Sequence, residues 1–142
     1  MKDQGYRTVP HTADLRVEAW AGSCCDCIAA ALRGLVSAFA DVTGASPVRT
    51  SRRRLEAGSP ADLLAAAAEE IIYILDTRGE IPVSIQVRPA DPAGTSIVLT
   101  LELASAESAE FTGAIPKAVS LHELACEPAG AGGWSASMTV DV

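Results

Sequence analysis

The segment VPHTADLRVEAW, residues 9–20, sets His11 and Asp14 directly ahead of an alternating stretch. Both side chains can bind protons or metals. Asp14 is open to two readings. It suits a turn or a strand-end cap, because aspartate hydrogen-bonds its own backbone there. It also suits a hard cation such as Ca²⁺ or Mg²⁺, which prefers carboxylate and carbonyl oxygens. A second carboxylate, Asp141, is the penultimate residue of WSASMTVDV, residues 134–142. Chain ends usually fray. Alternation that persists to Val142 predicts that Met138, Val140 and Val142 are fixed by packing or pairing. Asp141 is then presented on the opposite face, or is simply an exposed charge on an edge strand.

Other groups are less directive. Lys117 opens KAVSLHEL, and His122 follows five residues later. In a regular strand, side chains alternate between faces, so these two point opposite ways. A half-buried, hydrogen-bonded imidazole is the preferred account of His122. SCCDC places Cys24, Cys25 and Cys27 together, while Cys126 stands alone. Cys24 and Cys27 are spaced like half of a zinc site, but four ligands are needed and the other half is missing. Cysteines at a helix start also serve as small hydrophobes. The basic run RTSRRR puts Arg52 and Arg54 on one face of a strand. It reads as a charged edge that resists aggregation, or as a docking patch for an acidic partner or RNA.

These groups must be positioned by a chain of 142 residues, the length of one domain with one core. Hydrophobic residues make up 49% and aromatics 4%, so the core must be built from Ala, Val, Leu and Ile. A net charge of −7 disfavours direct RNA binding, since non-specific grip on phosphates comes from Lys and Arg. A basic protein or a cation fits the sign. No stretch is as long and apolar as a membrane span, and MKDQGYRT lacks the apolar region of a secretory signal. The expectation is a cytoplasmic protein with reduced thiols.

The pattern predicts two short strands over residues 6–20, or one strand broken at Pro10. A helix follows over 24–40, with Ser23 as cap and Ile28, Leu32, Leu35, Val36 and Phe39 in one stripe. Residues 48–57 read as extended. A second helix opens at Ser59 and Pro60, presents Leu63, Leu64, Ala67, Ala68, Ile71, Ile72 and Leu75, and stops at Gly79. Strands follow at 83–88, 96–104, 117–127 and 134–142. The order predicts an α+β fold, a single domain over residues 1–142, with mostly antiparallel sheets and two helices packed on one face.

No phosphate loop, dinucleotide-binding glycine pattern or nucleophile elbow is present. Instead HTADLRVEAW, DLLAAAAEEIIYILDTRG, KAVSLHEL and the closing TVDV occur in that order. Together they resemble the archease family over nearly the whole chain. The resemblance implies a non-enzymatic accessory protein for an RNA ligase. That ligase acts in tRNA splicing and RNA repair and depends on GTP and a divalent metal. The accessory protein promotes the ligase's guanylylation and its repeated turnover. The resemblance also implies a divalent-metal site, with Ca²⁺ as the metal. Asp14 and Asp141 would be ligands, completed by the main-chain or terminal oxygen of Val142. Lys117, and with it His11 and His122, are the function-associated positions in matched motifs. The first and last strands must then lie together, and the carboxylates would repel unless a cation sat between them. The chain departs from the family pattern at Ala66 and Ala67, where an acidic residue and a tryptophan are usual.

Two other functions fit the same residues. A stand-alone metal-dependent hydrolase would use Asp14, Asp141 and His11, but two-metal hydrolases usually need more ligands. A chaperone-like scaffold would carry these acids as mere surface groups, and Ca²⁺ would leave its stability unchanged.

Overall fold

The computed structural model describes residues 4–10 and 14–142. Its elements are β1 (Gly5–Pro10), β2 (Asp14–Ala21), α1 (Cys24–Phe39), β3 (Ala40–Asp41), β4 (Arg49–Glu56), α2 (Pro60–Arg78), β5 (Glu80–Pro89), β6 (Ser96–Ser105), β7 (Glu110–Phe111), β8 (Ala118–Pro128) and β9 (Trp134–Asp141). Single turns of 3₁₀ helix lie at Ala106–Ser108 and Gly130–Gly132. Every strand pairing is antiparallel. The strands form a four-stranded sheet in the order β1-β2-β9-β8, a three-stranded sheet in the order β4-β6-β5, and the short pair β3-β7. This is the α+β architecture that the alternating and helical periods predict.

Both helices are capped as their sequences require. Ser23 Oγ accepts from the Asp26 N–H at 3.1 Å, and Ser59 Oγ accepts from the Asp62 N–H at 3.1 Å. Pro60 supplies the preset φ of a first helical residue. Gly79 ends α2 in the left-handed region at φ 61°, where its N–H donates to the Leu75 carbonyl. Ser59→Ala should therefore cost about 1 kcal/mol. A urea melt would show a lower midpoint with an unchanged slope.

The helices lie against both sheets. That explains why α1 is buried on more than the stripe its periodicity predicts: Ala29, Ala30, Ala31 and Gly34 are enclosed as well. Small residues let the strands approach closely. A Cβ at Gly34 would sit 2.9 Å from the Tyr6 ring and from Val17 Cγ1. The buried side chains form one cluster, with Val17, Met138 and Val140 from the four-stranded sheet and Ile97, Leu99, Leu101 and Leu103 from the other. Ala67 is fully enclosed in that cluster, whereas Ala66 is half-buried. No helix among the described residues is long and apolar enough to cross a membrane.

Three expectations are corrected. The first helix ends at Phe39, because Ala40 turns extended to pair with Phe111. The strand expected at 83–88 runs from Glu80 to Pro89 and carries a register shift between Pro82 and Ser84. The strand expected to alternate over 117–127 does not. Its pairing with β9 jumps from Ser120↔Thr139 to Ala125↔Ser137, so residues 121–124 bulge out, with Glu123 at φ 61°. Parity across that segment is lost, so it cannot relate Lys117 to His122.

Candidate functional site

Strands β2 and β9 run side by side over their full length, and Asp14 lies directly opposite Asp141. Cross-strand partners share a face, with Cβ atoms about 4.5–5.5 Å apart. The face follows from the alternation. Val17, Ala19, Met138 and Val140 point into the core. Asp14, Arg16 and Glu18 on β2, with Thr139 and Asp141 on β9, share the other face by parity. Asp141 is held from its second side too: it pairs with Ala118, and its carbonyl accepts from the Lys117 N–H at 2.7 Å. Asp141 is exposed, while Asp14 and Val142 are half-buried.

The charges around the pair are already committed elsewhere. Arg16 Nε donates to Glu18 at 3.2 Å, and Arg16 Nη1 donates to Glu123 at 3.2 Å. Arg7 also binds Glu18, and the Arg7 and Arg16 guanidiniums hold the Glu18 carboxyl below the usual carboxylate range. Among the described residues, neither Asp14 nor Asp141 forms an ion pair with a cationic side chain. Two carboxylates directly opposite each other destabilise a sheet unless a cation offsets them.

Thr139 adds a second oxygen-bearing group. It lies two residues before Asp141 on the same face, opposite Arg16 and Ser120. It is 6% exposed, and its Oγ1 has no hydrogen-bond partner among the described residues. A buried hydroxyl left unsatisfied costs about 1–3 kcal/mol. The β8 bulge lies against this face: Glu123 reaches Arg16, the Glu123 carbonyl accepts from Ser137 Oγ at 3.2 Å, and the His122 N–H donates to Ser120 Oγ at 3.1 Å. No group of three or more His, Cys, Asp or Glu side chains among the described residues could hold a metal ion. A cation here would draw on two carboxylates, main-chain and hydroxyl oxygens, and water, which suits the oxygen preference of Ca²⁺.

The other predicted residues are distributed as follows. His11 lies outside the described residues. His122 is exposed in the bulge and contributes its backbone N–H to the region. The Lys117 main chain bonds Asp141, and the residue also lines a groove of about 650 Å³ with Glu69, Ile72, Tyr73, Ile115 and Pro116. Glu69 also ties α2 to β8, its Oε1 accepting from the Val119 N–H at 2.9 Å. Tyr73 and Ile115 in the groove, and Leu121 in the bulge, are large exposed apolar side chains. Arg52 and Arg54 lie on β4, an edge strand, where Arg54 contacts Glu56 and Ser96, and neighbouring Arg53 contacts Glu70. Cys126 is buried on β8, a strand that packs against α1, where Cys24 and Cys25 are half-buried and Cys27 is buried. Arg16, Ser120, Thr139 and Glu123 were missed as site neighbours. Alternation points to Arg16 and Thr139 once Asp14 and Asp141 are paired, but nothing local announces the bulge that brings Glu123.

Comparison with known proteins agrees with this fold. Residues 6–142 match the family model described as the Archease protein family (MTH1598/TM1083). Two Mycobacterium tuberculosis proteins, from strains CDC 1551 and H37Rv, are each named "Probable protein archease". Each is 46% identical over 138 residues, covering 97% of this chain and 75% of the relative. The solution structure of Methanobacterium thermoautotrophicum protein 1598 is similar with a TM-score of 0.75 at 18% identity, covering 97% of this chain and 99% of that one. A Thermotoga maritima crystal structure titled as an archease, possible chaperone, has a TM-score of 0.58 at 16% identity, with 96% of each chain covered.

Proposed function

The chain belongs to the archease family, and from that premise we propose that it is a non-enzymatic accessory protein that activates an RNA ligase. The partner is a GTP- and metal-dependent ligase of tRNA splicing and RNA repair, acting in the cytoplasm. This chain promotes its guanylylation and its return to further rounds. The observation that carries the site reading is the register of Asp14 against Asp141 without a cationic partner among the described residues. The unsatisfied Thr139 hydroxyl on the same face supports it.

In this reading the carboxylates of Asp14 and Asp141 hold a divalent ion, Ca²⁺ for preference, with the main-chain oxygen of Val142 and the Thr139 hydroxyl as further donors. The ion supplies positive charge where two carboxylates meet. The Lys117 N–H, bonded to the Asp141 carbonyl, fixes the end of β9 beside β8, where the Asp141 carboxylate would hold the ion. The net charge of −7 repels RNA, so the surface presented to the partner is for protein. The groove beside Lys117, with exposed Tyr73 and Ile115, offers apolar contact area next to the site.

The test is RNA ligation by the cognate ligase under single- and multiple-turnover conditions, with and without this chain. Product beyond one equivalent of ligase should accumulate faster in its presence. Identical progress curves would overturn the assignment.

A further inference from the structure

A second group of charges lies on the outer face of the three-stranded sheet, on a different sheet from the acidic site. Leu99, Leu101 and Leu103 of β6 point into the core, so the alternate residues Val98, Thr100 and Glu102 point outward. The ladder puts Arg54 of β4 and Arg88 of β5 on either side of Val98, and Arg52 of β4 beside Thr100. Cross-strand partners share a face, so these three arginines share the outer one. All three are exposed. The run RTSRRR joins Arg52 to Arg54, but only the pairing of β5 with β6 adds Arg88.

The other arginines of this half of the chain are matched. Arg49 and Arg78 both bind Glu80, and Arg53 binds Glu70. With 18 acidic residues against 11 lysines and arginines, carboxylates are not scarce. Yet among the described residues neither Arg52 nor Arg88 forms an ion pair. Arg54 reaches Glu56 at 3.3 Å, but that pair is open to water on both sides and holds the guanidinium weakly. Protecting a sheet edge asks only for charge, of either sign. It does not account for one sign gathered on one face and left without partners in an acidic chain.

We propose that this face docks a short acidic segment of a partner protein, held in extended form with a carboxylate at every second residue. Arg52 and Arg54 stand two residues apart, about 6.7 Å along a strand, and alternate residues of an extended segment repeat that spacing. Arg88 lies two strand spacings from Arg54, about 9.5 Å across β6, and receives a third carboxylate. A guanidinium binds a carboxylate through two parallel hydrogen bonds, which fixes the segment as well as attracting it. The ends of the patch set its length. Glu102 follows Thr100 on the outer face, and Glu56 follows Arg54. A nucleic-acid backbone, charged at every nucleotide, would run onto these carboxylates. The face also has no aromatic ring on which bases could stack. Two or three carboxylates fit between the glutamates. This docking is independent of the cation site and of ligase activation.

The experiment is a fluorescence-anisotropy titration of the whole chain into a dye-labelled Glu-Ser-Glu-Ser-Glu peptide at neutral pH and low salt. The wild type should bind it saturably, and added salt should weaken the complex. Combining Arg52→Gln with Arg88→Gln should weaken it by about threefold or more. Both side chains are exposed and unpaired among the described residues, so the thermal melt of this variant should match the wild type. Arg33→Gln removes the same kind of charge from the exposed side of α1 and should leave the affinity unchanged. The proposal fails if the wild type shows no saturable binding, if the double variant binds equally well, or if Arg33→Gln loses as much as the double variant. It also fails if a single-stranded oligouridylate of equal charge binds the wild type as tightly and is lost in the double variant, which would make the face one for nucleic acid.

Discussion

Asp141→Ala should abolish the chain's stimulation of multiple-turnover ligation, returning the progress curve to that of the ligase alone, while the fold stays intact. Asp141 is exposed and contributes no side chain to the core; its backbone carbonyl, which accepts from Lys117, survives the substitution. Thermal melts give the sign that separates a cation site from surface decoration. Without Ca²⁺, removing one of two opposed carboxylates should raise stability by about 0.2–1 kcal/mol. With Ca²⁺ at a hundred times its Kd, the wild type should gain about 2.7 kcal/mol and the variant nothing. The order of stabilities thus inverts on adding the ion. A scaffold with merely decorative acids would show no such crossing.

The largest loss of stability is expected from Phe39→Ala. Phe39 is 1% exposed at the end of α1, a large ring in a core otherwise built of small and aliphatic side chains. Its truncation should cost about 3–5 kcal/mol. For a chain near this size each kcal/mol lowers Tm by about 2–4 °C, so a drop on the order of 10 °C is expected in a calorimetric scan. Phe111 tests the same contact from outside: its ring centroid lies 5.9 Å from that of Phe39, but it is exposed. Phe111→Ala should therefore cost no more than about 1.5 kcal/mol, the worth of the aromatic pair. Equal losses from the two substitutions would contradict this placement of the core.

How far the fold can be read from residues alone depends on the range of the interaction. The α2 boundaries are local, because Ser59, Pro60 and Gly79 each act on their own backbone, and they emerge at Pro60–Arg78. The inward faces of β2 and β9 are local too, since alternation separates Val17 and Met138 from Asp14 and Asp141. What alternation cannot supply is a change of register. LHEL looks like the continuation of a strand, yet residues 121–124 leave the ladder and Glu123 crosses to Arg16, 107 positions away in sequence. The pairing of Asp14 with Asp141 needed family likeness to suggest it, because no local signal links residues at the two ends of the chain.

The most direct measurement is a calorimetric Ca²⁺ titration of the wild type, Asp14→Ala and Asp141→Ala. Saturable uptake at one site in the wild type, lost in both variants, is the predicted result. Wild-type affinity in both variants would contradict a cation held between the two strands.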